Sequence, residues 1–288
     1  MALLSLWKLE DSRSTQKPQR SSSSSTLERG LRNCDKSQMK KEFAGSVPKE
    51  LSSPEANEDA LALSGDGTRF AISDGASDSF DSKLWANLLA KKFLDDPGLN
   101  AEWLGAALTD YAAAHDFAAM SWSKQAAFER GSFATLLGGE YFPEHLAVEL
   151  LGVGDSVALL LDAGELVCAW PLDDPHRFHE RPSLLSTVAR HNDFLTDGDF
   201  RTRHVKVIHL AELGAPRLLC MTDALGEWAL RSLRDKDAGI ADLLSLQSEE
   251  QLVELVLRER ATKRMRIDDS TLLALSFKRE ERDGLPVS

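Results

Sequence analysis

The sequence contains few cysteines and no pattern that would pair them. Its 288 residues include three, Cys34, Cys168 and Cys220, which are widely spaced and form no CxxC motif. This excludes a disulfide scaffold and a zinc–thiolate site, and such usage is typical of a reducing cytoplasm. The histidines form no HxxxH pair, and the sequence has neither a Ser-His-Asp order nor a Cys-x5-Arg loop. A mechanism with a covalent intermediate is therefore disfavoured.

Long apolar runs and an excess of basic residues are also missing. Charged residues interrupt every long apolar stretch, and the apolar residues 3–7 are too few for a signal-peptide core, so we expect no membrane span. The 34 Lys and Arg against 46 Asp and Glu give a net charge of −12, which argues against nucleic acid as a partner. We expect a cytoplasmic protein whose carboxylates hold cations.

The charge is distributed unevenly. Residues 1–50 contain 10 Lys and Arg and 6 Asp and Glu, a net +4, whereas the remainder carries −16. Residues 1–42, with five consecutive serines at 21–25, are predicted to be a disordered basic tail. A solvated linker is the preferred interpretation of this tail, and a docking or phosphorylation segment is the alternative. Residues 43–280 are predicted to form the globular domain, beginning with an edge strand in 43–53, and residues 281–288 a short C-terminal tail.

Hydrophobic periodicity predicts the secondary structure of the globular part. The predicted strands are residues 59–64, 69–73, 132–138, 147–152, 156–161, 166–170, 205–210, 217–221 and 270–277. The predicted helices are residues 78–94, 102–120, 225–233 and 249–264. Hairpins dominate and no βαβ series occurs, so the order predicts a layered α+β domain built on antiparallel sheets. The polar segment 173–204 is too long for an ordinary connection and is interpreted as a functional loop or an insertion.

Acidic residues recur where the predicted strands begin or end. They are Glu58, Asp59, Asp74, Asp155, Asp223, Asp268 and Asp269. A single Asp at such a place is usually a turn or cap residue. Several together, without zinc-type ligands, favour a hard cation such as Mg²⁺ or Mn²⁺. Gly75, directly after Asp74, lets the backbone approach an ion closely. Shared carboxylates of this kind can hold two ions about 4 Å apart and ionise a bridging water.

The order of these motifs is similar to that of a known family. The segments are Asn57-Glu58-Asp59-Ala60, Ser73-Asp74-Gly75, Gly131-Ser132-Phe133-Ala134-Thr135, Gly154-Asp155-Ser156, Thr222-Asp223-Ala224 and Asp268-Asp269-Ser270-Thr271. No single segment is specific, but six in this order resemble the protein phosphatase 2C family of metal-dependent Ser/Thr phosphatases, especially its compact bacterial members. The resemblance covers roughly residues 45–278. It implies two packed, mainly antiparallel sheets flanked by helices, an α-β-β-α sandwich.

The resemblance also implies roles for individual residues. Asp74 would bridge two Mn²⁺ or Mg²⁺ ions, and the Gly75 carbonyl would complete the ligands of one of them. Asp223 and Asp268 would ligate the other ion. Glu58 and Asp59 would act at or near the first ion, partly through water. Asp155, with Asp223, would match a weaker third site.

The sequence departs from the family pattern at two positions. Many members carry an Arg that holds the substrate phosphate four residues before the Glu of the first motif, where this chain has Pro54. Many also carry a candidate general-acid His two residues after the Asp of the second motif, where this chain has Ala76. No metal ligand is lost by either change. Arg69, Arg130 and Lys124 are the candidates for the missing cation.

The first hypothesis for function is therefore a cytoplasmic phosphoprotein phosphatase in which two metal ions activate a water against Ser/Thr phosphates. Its partners would be a phosphorylated protein and a cognate Ser/Thr kinase. The alternative, based on Pro54 and Ala76, is a regulatory or binding module of the same fold with little turnover. A nuclease using the same acids is disfavoured by the acidic body.

Overall fold

A computed structural model describes residues 37–278 of the chain. Most of the predicted basic tail, residues 1–36, and the predicted C-terminal tail, residues 281–288, lie outside the described residues. Within the described range, no helix is both long and apolar enough to cross a lipid bilayer.

The described residues form short strands, helices and 3-10 turns. The strands are β1 (Gln38–Val47), β2 (Ala60–Leu63), β3 (Arg69–Ser73), β4 (Phe133–Ala134), β5 (Leu136–Phe142), β6 (Ala147–Val153), β7 (Val157–Asp162), β8 (Glu165–Trp170), β9 (Leu185–Ser186), β10 (Val205–His209), β11 (Pro216–Met221) and β12 (Ser270–Lys278). The α-helices are α1 (Ser82–Asp95), α2 (Ala101–Ala113), α3 (Trp122–Arg130), α4 (Phe200–His204), α5 (Asp223–Asp235), α6 (Gly239–Leu244) and α7 (Glu249–Ala261). The 3-10 turns are Pro54–Ala56, Phe117–Ala119, Pro143–His145, Pro175–His179 and Ala189–Thr196.

Two five-stranded antiparallel sheets form the centre of the fold. The first sheet has the order β1-β12-β11-β7-β8, and the second has the order β10-β6-β5-β3-β2. Every strand pair within them is antiparallel, and β4 with β9 forms a separate two-stranded ribbon. The predicted α+β class with two packed antiparallel sheets is therefore confirmed.

The central strands are apolar on both faces because both faces are covered. In β7, Val157 and Leu159 pack among residues of α5, α6 and α7, while Ala158 and Leu160 pack between the two sheets. Successive side chains of a strand point to opposite faces, so a continuous apolar run is the pattern expected of a doubly covered strand. Such runs fix these strands in the interior of the sandwich.

Helices cover the outer face of each sheet. Trp85 and Leu89 of α1 pack with α2 on the second sheet, and Trp228 of α5 packs with α6 and α7 on the first. Together with the apolar layer between the sheets, this gives four layers in the order α-β-β-α. Fully burying one large apolar side chain contributes about 1.5–3 kcal/mol to the stability of the fold. These contacts between layers therefore hold the two sheets together.

Some boundaries differ from those predicted from the sequence. Strand β1 begins at Gln38, so residues 38–42 of the predicted tail belong to it; residues 38–41 pair with the end of β12, and residue 42 lies at a shift in register. Their side chains are mostly exposed and polar, as on an edge strand, and this hid them from a periodicity argument. The predicted helix 102–120 ends at Ala113, and Asp116 then caps a 3-10 turn by accepting from the amide of Ala119. Helix α3 was not predicted.

Candidate functional site

The strand-end acids lie at the same edge of the sandwich. Asp59 enters β2 and Asp74 leaves β3, and because these strands are antiparallel partners both residues lie at one end of the hairpin. By the same rule, Asp223 after β11 and Asp268 before β12 lie together. Asp155 precedes β7, which pairs antiparallel with β11, so it joins the same edge.

Asp59 connects the two sheets at this edge. Its Oδ2 accepts a 3.0 Å hydrogen bond from Thr222 Oγ1 and a 2.6 Å bond from Thr271 Oγ1. The other carboxylate oxygen, Oδ1, is buried without a hydrogen-bond partner among the described residues. Burial raises the pKa of Asp59 to about 7, with further increases from the charges of Asp269 and Asp268. A buried, half-satisfied carboxylate requires a cation or a proton.

One hydroxyl network links the Asp74 backbone to Ser156, the residue after Asp155. Thr135, which precedes β5, accepts from the Asp74 amide at 2.9 Å through its Oγ1, and this oxygen lies 2.8 Å from Ser156 Oγ. Gly154, with φ of 105°, makes the turn into Asp155, and a Cβ there would lie 2.6 Å from Thr135 Cγ2.

The pKa values of both carboxyl groups reflect their surroundings. Burial raises the pKa of Asp74 well above its ordinary value, and the charges of Asp59, Asp155 and Asp268 raise it further. Burial also raises the pKa of Asp155. The guanidinium of Arg266 opposes both shifts, so it lies within electrostatic range of both groups.

Asp269 is buried and positions the loop that carries Glu58. Its two carboxylate oxygens accept from the backbone amides of Lys49 at 2.7 Å and Glu58 at 2.8 Å. Glu58 Oε1 accepts from Ser82 Oγ at the start of α1, and Oε2 lies 3.5 Å from Lys49 Nζ. The Glu58 side chain is thereby placed at the edge of the acidic cluster.

Arg266 places a positive charge inside the cluster. Its Nη2 contacts Asp223 Oδ2, while Asp223 Oδ1 is buried without a hydrogen-bond partner in the described part of the chain. The residue lies in the segment between α7 and β12, two positions before Asp268. The guanidinium thus supplies a counter-charge to the carboxylates that the resemblance assigns to metal ions.

The chemistry of these donors fits a hard cation, although the side chains are not arranged as ligands. Within residues 37–278, no group of three or more His, Cys, Asp or Glu is positioned so that it could hold a metal ion. The partnerless oxygens of Asp59 and Asp223, however, are hard anionic donors that Mg²⁺ or Mn²⁺ prefers. The guanidinium of Arg266 contacts one of these two carboxylates, that of Asp223. This contact is part of the reason why the carboxylates are not arranged as metal ligands.

The other predicted residues lie as follows. Gly75 is buried and bridges to Ala134, and a Cβ there would lie 2.9 Å from the backbone of Ser82, so close packing against α1 already requires glycine. Arg69 lies at the opposite end of β3 from Asp74, where it binds Glu140 and the carbonyl oxygens of residues 94 and 95. It is not brought to the acidic edge.

The other two candidate cations are at the surface. The two residues that depart from the family pattern lie at the surface or near it. Arg130 is exposed at the end of α3, close in sequence to the strand that bridges to residue 75, and Lys124 is exposed on the same helix. Pro54 is exposed in the 3-10 turn Pro54–Ala56. The Ala76 amide donates to Phe133 O at 2.9 Å, and its methyl group offers no acid.

The polar segment 173–204 is ordered and reaches toward this edge. Leu185 is buried and pairs with Ala134 of β4. Its carbonyl oxygen accepts a 2.9 Å hydrogen bond from Trp85 Nε1. Ala134 in turn bridges to Gly75. One strand therefore separates the segment from the residue that follows Asp74.

Several residues of the site were not assigned a role from the sequence. Lys49 and Arg266 lie in loops without a recognisable motif, so only the tertiary structure locates them. Thr135 and Thr271 lie within the motifs of the resemblance: the Thr271 hydroxyl donates to the Asp59 carboxylate, and the Thr135 hydroxyl accepts from the Asp74 backbone amide. For Thr271, its place two residues after Asp269 was the available signal, whereas Thr135 has no acid near it in the sequence.

No protein-family model matches the sequence, and no curated protein matches it. Solved structures do resemble it. A bacterial serine phosphatase is 15% identical with a TM-score of 0.49, covering 86% of this chain and 100% of that chain. The Mycobacterium tuberculosis serine/threonine phosphatase PstP/Ppp is 19% identical with a TM-score of 0.46, covering 85% and 98%. Stp1 from Staphylococcus aureus is 13% identical with a TM-score of 0.48, covering 86% and 96%. These three solved structures are serine or serine/threonine phosphatases.

Proposed function

We propose that the chain is a metal-dependent phosphomonoester hydrolase that acts on phosphorylated Ser or Thr side chains. The observation that carries this proposal is the buried acidic edge, where Asp59 and Asp223 each present a carboxylate oxygen without a hydrogen-bond partner among the described residues. Buried carboxylates with raised pKa values require a cation or a proton, and pKa values shifted in this way cluster at functional sites.

The residues that would hold Mg²⁺ or Mn²⁺ are Asp59, Asp74, Asp223 and Asp268, with Asp155 at a weaker third site and the Gly75 carbonyl as a further ligand. When bound, two such ions would neutralise phosphoryl charge and lower the pKa of a water nucleophile. Glu58 lies next to this set and would orient water through its carboxylate. The hydroxyls of Thr222 and Thr271 fix Asp59, and Thr135 fixes the Asp74 backbone, so the acids are pre-oriented.

Lys49 is the cation that we assign to the substrate phosphate. Its ammonium group lies 3.5 Å from Glu58 Oε2 and donates a 2.8 Å hydrogen bond to Ser77 Oγ, three residues after Asp74. The side chain is about one-third exposed, at 32%, so a phosphate oxygen can reach it from solvent. An ammonium group can hold a phosphate as a point charge, and Arg69, bound to Glu140, is already engaged elsewhere.

The test is hydrolysis of p-nitrophenyl phosphate and of a phosphoserine peptide, each with Mn²⁺ and with EDTA. We expect turnover of both substrates with Mn²⁺ and none with EDTA. Asp110→Asn, an exposed carboxylate on α2, is a matched control that should behave as the wild type. Turnover that is unchanged by EDTA would contradict the proposal.

A second candidate function is a binding module of the same fold with little turnover. The contact between Arg266 and Asp223 favours it, because a guanidinium that permanently neutralises the acids leaves no place for a second cation. Wild-type chain that binds the phosphopeptide but hydrolyses neither substrate at saturating Mn²⁺ would support this candidate over the first.

A further inference from the structure

Arg266 is the one basic side chain in contact with Asp223 among the ion pairs of residues 37–278, and its surroundings are unusual for a guanidinium. Its Nε and Nη2 are buried and neither makes a hydrogen bond within the described residues, although the side chain as a whole is 34% exposed. The stem therefore lies toward the surface while the head group points inward. An Arg with its donors unsatisfied is held by charge more than by a complete set of hydrogen bonds.

The backbone around Arg266 allows the side chain to leave. The segment between α7 and β12 contains no helix or strand, and neighbouring Ile267 is 71% exposed. Within the described chain, no backbone hydrogen bond is made by Arg266 or Ile267. Buried Met265 and Asp269 anchor the two sides of this short exposed stretch. Rotation of one side chain would therefore suffice, without breaking strand or helix pairing.

The acids would remain in place after such a movement. Arg260, which is largely buried, donates to the carbonyl oxygens of Pro48 and Asp268 and to Ser270 Oγ. Asp269 holds the amides of Lys49 and Glu58. These bonds do not involve Arg266, so the loops that carry Asp268 and Glu58 are held without the guanidinium, and Asp223 is held by its place in the first turn of α5.

We propose that Arg266 is a built-in, displaceable counter-ion: it neutralises the acidic edge in the metal-free chain and competes with divalent cations for Asp223. The inference rests on the metal-binding part of the proposed function. A cation can enter only in the fraction of molecules whose guanidinium has moved out, and the apparent dissociation constant rises by the reciprocal of that fraction. Arg266 thereby sets the metal concentration at which the centre is loaded.

The test compares Arg266→Gln with the wild type in two measurements that need no turnover. The first is the Mn²⁺ dissociation constant, from calorimetry or from the electron paramagnetic resonance signal of free Mn²⁺. We expect the variant to bind at least about tenfold more tightly, because the competitor is gone. The second is thermal unfolding in EDTA, where the variant should melt at a lower temperature because its buried carboxylates lack a counter-charge.

Two further variants serve as controls. Lys263→Gln removes the same charge from the same loop at an exposed position and should change neither measurement. Arg266→Lys keeps the charge and should give a Mn²⁺ affinity between those of the wild type and Arg266→Gln, since an ammonium lacks the planar fork. Circular dichroism of each variant establishes that it is folded.

The outcomes separate this inference from the proposed function. A folded Arg266→Gln variant whose Mn²⁺ affinity is unchanged or weaker overturns the counter-ion role, whatever the phosphatase activity. Wild type that binds Mn²⁺ weakly while the variant binds tightly supports it, even if neither chain hydrolyses a phosphate ester. If neither chain binds Mn²⁺, both the metal centre and the competition are overturned.

Discussion

The two ends of the sheet sandwich use aspartate in opposite ways. In the hairpin of β2 and β3, Asp59 and Asp74 lie at the open end with pKa values raised by burial. Asp66 lies in the turn at the other end, exposed, and hydrogen bonds from Ser64 and Thr68 lower its pKa to about 2. The two ends of one hairpin thus hold aspartates in a buried environment and in an exposed, hydrogen-bonded one.

The same contrast occurs along β7. Asp162 at the far end accepts hydrogen bonds from the amides of Gly214 at 3.2 Å and Ala215 at 2.7 Å, so its carboxylate closes a loop. Asp155, just before the strand, is buried and its pKa is raised by that burial. An aspartate satisfied by backbone amides is structural, whereas one buried among other carboxylates calls for an external partner.

The largest expected effect tests this contrast within one hairpin. Asp74→Asn should lower kcat/KM for p-nitrophenyl phosphate with Mn²⁺ by about a hundredfold or more, because an essential anionic group is lost. Asp66→Asn, at the other end of the hairpin, should retain wild-type turnover. Retention of more than about a tenth of wild-type kcat/KM by Asp74→Asn would contradict the assignment of the acidic edge.

The second effect concerns stability in EDTA as a function of pH. The native-state pKa of Asp59, about 7, lies above its ordinary value of 3.8, so the native state binds the proton more tightly than the unfolded state. The stability that the protonated Asp59 contributes is fully present below pH 4 and is lost as the pH rises through about 7.

Asp59→Asn removes this charge and keeps an acceptor oxygen for the two threonines. In EDTA at pH 8 it should raise the melting temperature, by about 2–4 °C for each kcal/mol regained, and the gain should vanish near pH 4. Asp66→Asn should leave the melting temperature at pH 8 unchanged or lower. An Asp59→Asn variant that melts below the wild type at pH 8 would refute the role of buried charge.

A smaller effect is expected from the cation at the edge. Lys49→Gln should raise KM for p-nitrophenyl phosphate about three- to tenfold with little change in kcat, since a partly exposed ammonium contributes mainly to ground-state binding. Lys41→Gln, exposed on β1, is the matched control and should leave KM unchanged. An equal fall in kcat and kcat/KM would instead indicate that Lys49 acts in the transition state.

The smallest effect tests the segment 173–204 as a substrate-contacting surface. His191 is exposed and packs on Phe133, at 5.5 Å between ring centroids, and Phe133 accepts from the Ala76 amide. His191→Ala should lower kcat/KM for a phosphoserine peptide about twofold more than for p-nitrophenyl phosphate, because only the peptide is large enough to reach it. Asp193→Ala, exposed in the same turn, is the control, and equal losses on both substrates would indicate a structural role.

Much of the fold could be predicted, because the spacing of apolar residues and the turn residues are signals carried by short stretches of sequence. The hairpin of β2 and β3, the helices α1, α5 and α7 and the final strand β12 agree with the predicted elements to within a few residues. Helix α3 and the first five residues of β1 could not be predicted, because their exposed polar faces resemble loops. The short elements within 173–204 depend on contacts with Trp85 and β4, which no local pattern encodes.

The sequence by itself determined that acidic residues lie at strand ends, because turn residues mark where strands begin and end. The antiparallel pairing that brings those ends to one edge was decided by the packed sheets. Nor did the sequence determine how those acids are neutralised. Arg266 reaches Asp223, and Asp269 holds Glu58 and Lys49, through contacts between segments far apart in the chain. Charge compensation in a buried site depends on distances and exposure, and these exist only once the two sheets have packed.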